Sequence, residues 1–502
     1  MTLATKRALR TDSESRSERS PDAERAAVNA RAGRSAVWTL AGFGGGQVLR
    51  LGGNLLLTRL LFAEAFGVMA LVTVFMTGLA LFSDVGIGPS IIQSRRGDDR
   101  RFLNTAWTVQ VARGAVLWIA SCALAVPFAS FYGEPSLAWI LPVSGLTALL
   151  AGFNSTKLFT MNRNLDMKRV IVVDLASQVA GLVVMVGWGL AYPSIWCLVA
   201  GGLVTSAGKM ALSHVLLTGE SNRFAWDQDA ARSLFAFGRW IFLSTLLTFL
   251  VMQSDRLIFG KMIPMSLLGV YSIALMFATL PSIVAGYLGN QIVFPLYSRI
   301  HNAGESLAPV YTRSRWLAMI TGGFLLSNLI TAGPAMIRVL YDARYEDAGW
   351  ILQLLACAAW FGVMDATNVP TLLARGKAGW MVAANATKLA AMVGLIPLGF
   401  ALGGFPGAVI GFVAAEGFRY GVSAWATNAS GLKGWTQDLG LSMLLVAACV
   451  TGHLVAVFSA GHELAPFWIA AATVLVTSAF WISPALSHVR RMRGEQRSLL
   501  GI

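Results

Sequence analysis

Charged side chains are scarce in this sequence. Of 502 residues only 13% are Asp, Glu, Lys or Arg, while 56% are hydrophobic and the mean hydropathy is +0.63. A soluble domain carries about 25% charged residues. Repeated apolar stretches of about 20 residues, as here, mark an integral membrane protein. One all-α membrane domain is therefore expected. Cysteine is also scarce. Cys122, Cys197, Cys357 and Cys449 all lie in apolar runs, with no CxxC and no His/Cys cluster, which argues against disulfides and a metal site. No GxxxxGK[ST] loop occurs, so ATP consumption by this chain is not expected. Residues 1–34 lack an apolar h-region and are rich in Ser, Arg, Glu and Asp. They read as a disordered cytoplasmic tail and not as a cleaved signal.

The net charge of +14 does not point to nucleic acid, because no basic folded domain is present. Eight basic residues between Lys6 and Arg34 precede the first apolar run, and Arg490, Arg491, Arg493 and Arg497 follow the last. In a membrane protein such clusters are topology determinants.

Fourteen spans are predicted, at about 35–61, 65–93, 103–131, 137–157, 170–191, 194–217, 237–260, 267–297, 315–340, 350–374, 381–402, 407–427, 437–459 and 465–485. The loops 94–102, 158–169, 218–236, 298–314, 375–380 and 428–436 carry nearly all the loop Arg and Lys; the opposite set has only Lys261 and Arg344. The basic side, with both termini, is assigned to the cytoplasm of a bacterial cytoplasmic membrane. No loop is long enough to hold a soluble catalytic domain.

The two halves look like copies. RLLF at 59–62 and FGVMAL at 66–71 are matched by RLIF at 256–259 and LGVYSI at 268–273. GPSIIQSR at 88–95 is matched by FPLYSR at 294–299. Six spans per copy give both copies one orientation, with a pseudo-twofold along the membrane normal and a cavity between rocking halves. The expected organisation is a tail 1–34, an N-lobe 35–217, a cytoplasmic linker 218–236, a C-lobe 237–427, an appended helix pair 428–485 and a basic cytoplasmic tail 486–502.

FSDVGIGPSIIQ at 82–93, FLNTAW at 102–107, DRLIFGKM at 255–262, LGVYSIA at 268–274, VFPLYSR at 293–299 and YEDAGWILQLLA at 345–356 carry a resemblance. Over about residues 35–430 the chain resembles the polysaccharide (oligosaccharide) flippases. These form the polysaccharide transport branch of the multidrug/oligosaccharidyl-lipid/polysaccharide (MOP) exporter superfamily. The resemblance implies a two-lobe fold of twelve spans, often with two more. It also implies translocation of an undecaprenyl-diphosphate-linked oligosaccharide for exopolysaccharide, capsule or O-antigen synthesis, with a polymerase and a chain-length regulator as candidate partners.

A charge deep in a span costs on the order of 2.5–3.5 kcal/mol, so intramembrane charges mark a polar cavity or an ion pair. Arg50, in Gly-rich GFGGGQVLRLGG, Arg113 and Lys388 lie well inside spans one, three and eleven. Each is either a cavity cation for the diphosphate or the partner of a buried carboxylate; Lys388 can also snorkel. Glu416 and Arg419, three apart, share a helix face and can pair there, or else serve the cavity or proton coupling. Asp365 precedes Asn368 and Pro370, where a broken helix frees carbonyls for a cation. That makes Na⁺ or H⁺ the candidate coupling ion; no other cofactor is expected. Arg59 and the pair Asp255–Arg256 lie near outer span ends, as structural anchors or an outer gate. Asp84 is assigned a structural role beside Pro89. Lys157, Asp174 and Lys209 are read as interfacial.

Three functions compete. A flippase for an anionic lipid-linked glycan fits the mid-depth cations. A cation-coupled multidrug exporter of the same superfamily would favour cavity acids. A membrane enzyme needs a catalytic constellation that the outer-loop acids (Glu64, Glu134, Asp342, Glu346, Asp347 and Glu463) do not form, so the chain is read as a non-enzyme.

Overall fold

The computed structural model describes residues 21–83, 86–462 and 465–500, and among these there is helix and no strand. In chain order the helices are α1 (Pro21–Leu60), α2 (Ala63–Phe82), α3 (Ile87–Gln93), α4 (Arg100–Tyr132), α5 (Leu137–Gly152), α6 (Lys157–Arg163), α7 (Met167–Ala191) and α8 (Trp196–Val215). They continue as α9 (Gln228–Met262), α10 (Met265–Leu288), α11 (Phe294–Asn302), α12 (Ala308–Leu340), α13 (Ala348–Ala374), α14 (Gly379–Ala429), α15 (Trp435–Gly461) and α16 (Pro466–Leu500). A π-helical turn at Gly289–Val293 joins α10 to α11.

Among the described residues nine helices are long and apolar enough to cross a membrane, or ten if the bent pair α5–α6 is one span. The expected fourteen is not reached by that measure, for two physical reasons. Helices α1, α8 and α9 fall outside the set that passes. Helix α14 is counted once although its 51 residues would stretch about 76 Å at 1.5 Å per residue, more than twice the bilayer core. Its φ/ψ angles leave the helical region at Gly403 and Gly404. A Cβ on Gly399 would strike the Gly407 carbonyl, and one on Gly411 the Leu395 carbonyl. The two arms of α14 therefore run back along each other as a hairpin, with small residues letting the backbones touch. The expected tail is helical from Pro21, well before the predicted first span. Asp84 lies outside the described residues.

The chain forms two compact units. The first takes residues up to Leu57 and Leu79–Leu243; the second takes Thr58–Gly78 and Ser244 onward.

In the first unit, α4 and α5 form a hairpin closed by Gly133, whose φ of 68° suits glycine. Close approach continues along it, where a Cβ on Gly114 would lie 2.8 Å from the Ala148 carbonyl oxygen. The chain then bends by 56° between α5 and α6. Asn222 holds that bend, accepting from Ser155 Oγ at 2.9 Å and from the Thr156 amide at 3.2 Å. Residues of the expected linker are likewise tied down: the Arg223 amide donates to Asn104 Oδ1 at 3.0 Å and the Asp227 amide to Thr105 Oγ1 at 3.0 Å. The glycines around Arg50 bring α1 close to α7: a Cβ on Gly42 or Gly53 would come within 2.7 Å of Ile171 or Leu182.

In the second unit the repeat motif meets its own copy. A Cβ on Gly67 would strike the Met265 carbonyl, and one on Gly269 would strike the Ala63 carbonyl. Each residue pair is offset by the same register, so the contact is isologous, as across a twofold axis. The appended pair α15–α16 is built into this unit's core. Trp481 packs with Met319, Ile320, Leu326, Trp360 and Leu445. Its indole donates to Ser327 Oγ at 3.0 Å, as a buried indole N–H requires.

Candidate functional site

Each unit holds a half-open cavity in which a few charged side chains join a mostly apolar lining. In the first unit a cavity of about 500 Å³ lies between the end of α2 and α3, α4, α5, α6, α7 and α8. Arg113 and Lys209 are its charged lining residues among those described, with Gln110, Asn154 and Asn162 as its amides. Arg113 reaches it from the middle of α4. Its Nε donates to Ser83 Oγ at 2.9 Å and its Nη2 to the Ala80 carbonyl at 2.6 Å, near the C-terminal end of α2. A cation on helix-terminal carbonyls is favourably placed. Lys209, expected at an interface, lines this cavity and pairs with Asp174 at 2.7 Å. Lys157, also expected at an interface, is buried, with Nζ donating to the His214 carbonyl at 3.2 Å.

In the second unit a cavity of about 430 Å³ is lined by Asp365, Lys388, Glu416, Arg419 and Ser423, among others. Four of the candidate residues meet here in one network. Lys388 Nζ sits on Glu416 Oε1. Arg419 Nε reaches Glu416 Oε2 at 3.0 Å, and its Nη1 reaches Asp365 Oδ2 at 2.8 Å. Ser423 Oγ donates to the other Asp365 oxygen. Two cations meet two carboxylates, so the cluster is neutral as a whole. Neutrality explains how four ionisable groups coexist inside an apolar bundle.

The remaining candidates lie elsewhere. Arg50 is exposed, lines neither cavity, and its Nε contacts the Gly46 carbonyl of its own helix at 3.4 Å. Arg59 is exposed at the end of α1, near Asp342. Asp255 and Arg256 turn to different partners. Buried Asp255 accepts from the Tyr271 hydroxyl at 2.7 Å, and Arg256 donates to Gln253 at 2.7 Å. At the same end, Arg344 caps α1. It donates to the Thr58 carbonyl at 3.2 Å and the Leu61 carbonyl at 3.4 Å, and it also holds Asp342. The Arg344 hydrogen bond keeps the Asp342 carboxyl below its usual range, with Arg59 adding to the effect.

Sequence reasoning missed a second charged cluster. Arg315, 1% exposed, donates Nε to Asp438 Oδ1 at 2.8 Å. Its Nη1 bonds the Met364 carbonyl, Thr367 Oγ1 and Asn368 Oδ1 at 2.7, 2.7 and 2.9 Å. Tyr420 also donates to Asp438. Asn368 Nδ2 reaches Ser423 Oγ at 3.4 Å, which links this cluster to the cavity network. The available signal was the basic RSRW start of the ninth span facing an acid at the start of the thirteenth.

Solved structures of membrane proteins share this fold at 12% identity, a multidrug resistance MATE family transporter of the MOP superfamily in an inward-facing conformation among them. One is the lipid II flippase MurJ in an inward closed conformation. It aligns with a TM-score of 0.68 at 12% identity, covering 91% of this chain and 99% of that one. Residues 56–349, more than half of the sequence, match the family described as "Polysaccharide biosynthesis protein", and the chain belongs to that family. It is 20% identical to the teichuronic acid biosynthesis protein TuaB of Bacillus subtilis over 59% of this chain and 61% of that protein. It is 22% identical to the succinoglycan biosynthesis transport protein ExoT of Rhizobium meliloti over 64% of this chain and 65% of that protein. The chain thus spans under two thirds of the length of these two relatives.

Proposed function

We propose that the protein is a flippase that carries an undecaprenyl-diphosphate-linked oligosaccharide across the cytoplasmic membrane. The observation that carries this reading is Arg113, a guanidinium lining a half-open cavity inside an apolar helix bundle. A diphosphate is anionic and costly to move through hydrocarbon. A fixed cation in such a cavity lowers that cost, while the polyprenyl tail stays in lipid. The family membership and the name of ExoT as a transport protein support the same reading.

Arg113 is the candidate cation for the head group. Lys388, paired with Glu416, belongs to the second cavity's neutral network, which suits a coupling role for Asp365 and Glu416 with Na⁺ or H⁺. The alternative, export of cationic drugs, calls for a cavity acid open to the substrate. In the second cavity both acids are already held by Lys388 and Arg419.

The test is a flipping assay in proteoliposomes. An undecaprenyl-diphosphate-linked oligosaccharide is loaded on the inner leaflet and detected outside with an impermeant lectin. Protein-dependent appearance, reduced at least tenfold by Arg113→Gln, is expected. Absence of flipping together with transport of a cationic dye would overturn the proposal.

A further inference from the structure

We propose that an outer groove of α14 seats one acyl chain of an anionic bilayer phospholipid, with the lipid phosphate on Lys377. The groove lies in the second unit and shares no lining residue with either cavity described above.

The groove has a volume of about 500 Å³. Trp380 lines it from the first arm of α14, and Ala414, Gly417, Phe418, Gly421 and Trp425 line it from the second. Positions 414, 417, 418, 421 and 425 recur at the three- and four-residue spacing of one helix face. Glu416, Arg419 and Ser423, on the same stretch, line the cavity instead. One helix wall thus has the charged network on one side and the groove on the other. Glycine makes the hollow: a Cβ on Gly421 would meet nothing within 4 Å. Trp380, Phe418 and Trp425 are its exposed walls. The two indoles meet edge to face with centroids 4.9 Å apart, at the end of the hairpin where α14 begins and finishes.

Length, aromatic placement and charge select the occupant. From Ala414 to Trp425 the helix rises about 16 Å at 1.5 Å per residue. The hydrocarbon core is about 30 Å thick, so the groove is one leaflet deep. A partner helix crosses both leaflets, whereas an acyl chain ends where this groove ends. Tryptophan gathers at the membrane–water interface, which sets the headgroup level at the paired indoles. Cations stand at that same end. Lys377, one turn before Trp380, donates Nζ to Ser430 Oγ at 2.9 Å, just past the second arm. Arg375 donates to the Ser430 carbonyl, and Lys433 is exposed three residues further on. The sequence has no acid at 366–415 or 417–437. Cations without acids at headgroup level favour an anionic lipid over a zwitterionic one. The seated chain braces, from outside, the helix stretch that presents Glu416 and Arg419 to the cavity.

The experiment titrates the full-length protein in detergent with phosphatidylglycerol or with phosphatidylcholine of equal chain length. Native mass spectrometry counts the lipid retained. One phosphatidylglycerol should bind about fivefold more tightly than phosphatidylcholine. Gly421→Leu puts its side chain into open space and fills the groove. It should weaken that phosphatidylglycerol about tenfold and leave the unfolding temperature of the lipid-free protein unchanged. Lys377→Gln combined with Lys433→Gln should bring the two lipids within about twofold of each other. Arg375 is kept in both variants because it holds the Ser430 carbonyl. Equal affinity for the two lipids, or phosphatidylglycerol retention unchanged in Gly421→Leu, overturns the proposal. Displacement of the phosphatidylglycerol by an equimolar amount of undecaprenyl phosphate would assign the groove to a polyprenyl chain, and overturns it as well.

Discussion

Arg315 and Asp438 are 123 residues apart in sequence and share one buried ion pair, in which two guanidinium nitrogens reach the same carboxylate oxygen. The pair joins α12 to the first turn of α15, and so ties the appended helices to the second unit at the level of single atoms. Removing one member of a buried pair leaves the other uncompensated, at a cost of about 3–5 kcal/mol. Arg315→Met should therefore lower thermal stability in detergent sharply. The double variant Arg315→Met with Asp438→Leu should recover most of the loss, because apolar replacement of a whole buried pair is often neutral. Equal damage by single and double variants would contradict this.

The neutral network of the second cavity predicts a similar pattern in transport. Glu416→Gln leaves Lys388 and Arg419 facing Asp365 alone. Transport should fall on the order of tenfold or more, given the cost of an unpaired charge. Adding Lys388→Met restores neutrality and should restore a measurable part of the rate in the proteoliposome assay. A double variant worse than either single would refute charge balance as the constraint.

Gly67 and Gly269 leave no room for a methyl group, whereas a Cβ on Gly394 meets nothing within 4 Å. Gly67→Ala and Gly269→Ala should each cost about 1–3 kcal/mol or more, because the obstructing atoms are backbone. Gly394→Ala should be tolerated or slightly favoured, as glycine-to-alanine exchange in a helix generally is. Unfolding temperatures of the three variants check the ranking.

Outside the spans, Asp342 predicts a pH dependence. Arg344 lowers its carboxyl below the ordinary value of 3.8. A depressed folded value means the interaction stabilises fully above about pH 3.8 and is lost as pH falls through the folded value. Protection of amides 343–346, taken against the intrinsic exchange rate at each pH, should persist at pH 5 and fall only below pH 3.8. Asp342→Asn should exchange faster already at pH 7.

Much of this could be read from the sequence because charge in an apolar run is conspicuous. Arg113, Lys388, Asp365, Glu416 and Arg419 all stood out on insertion cost, and the three-residue spacing of Glu416 and Arg419 named their ion pair. Cost alone could not say which charges meet: Arg113 reaches Ser83 and the Ala80 carbonyl, whereas the Arg50 side chain lies exposed. Arg315 and Asp438 sit at span ends, where charges are ordinary, and their burial comes from packing between distant segments. The turn between the eleventh and twelfth spans was legible, since the backbone leaves the helical region at Gly403 and Gly404, between the expected spans 381–402 and 407–427.

The mutual contact of Gly67 with Gly269 has a consequence for how these positions can vary. Two identical half-length chains meeting about a twofold axis would make this same contact twice from one codon, and any change there would damage both sides together. In a single chain the two positions mutate separately, yet neither can take a side chain, because each backbone rests on the other. The place where the two halves look alike is thus also a place where neither half can change alone.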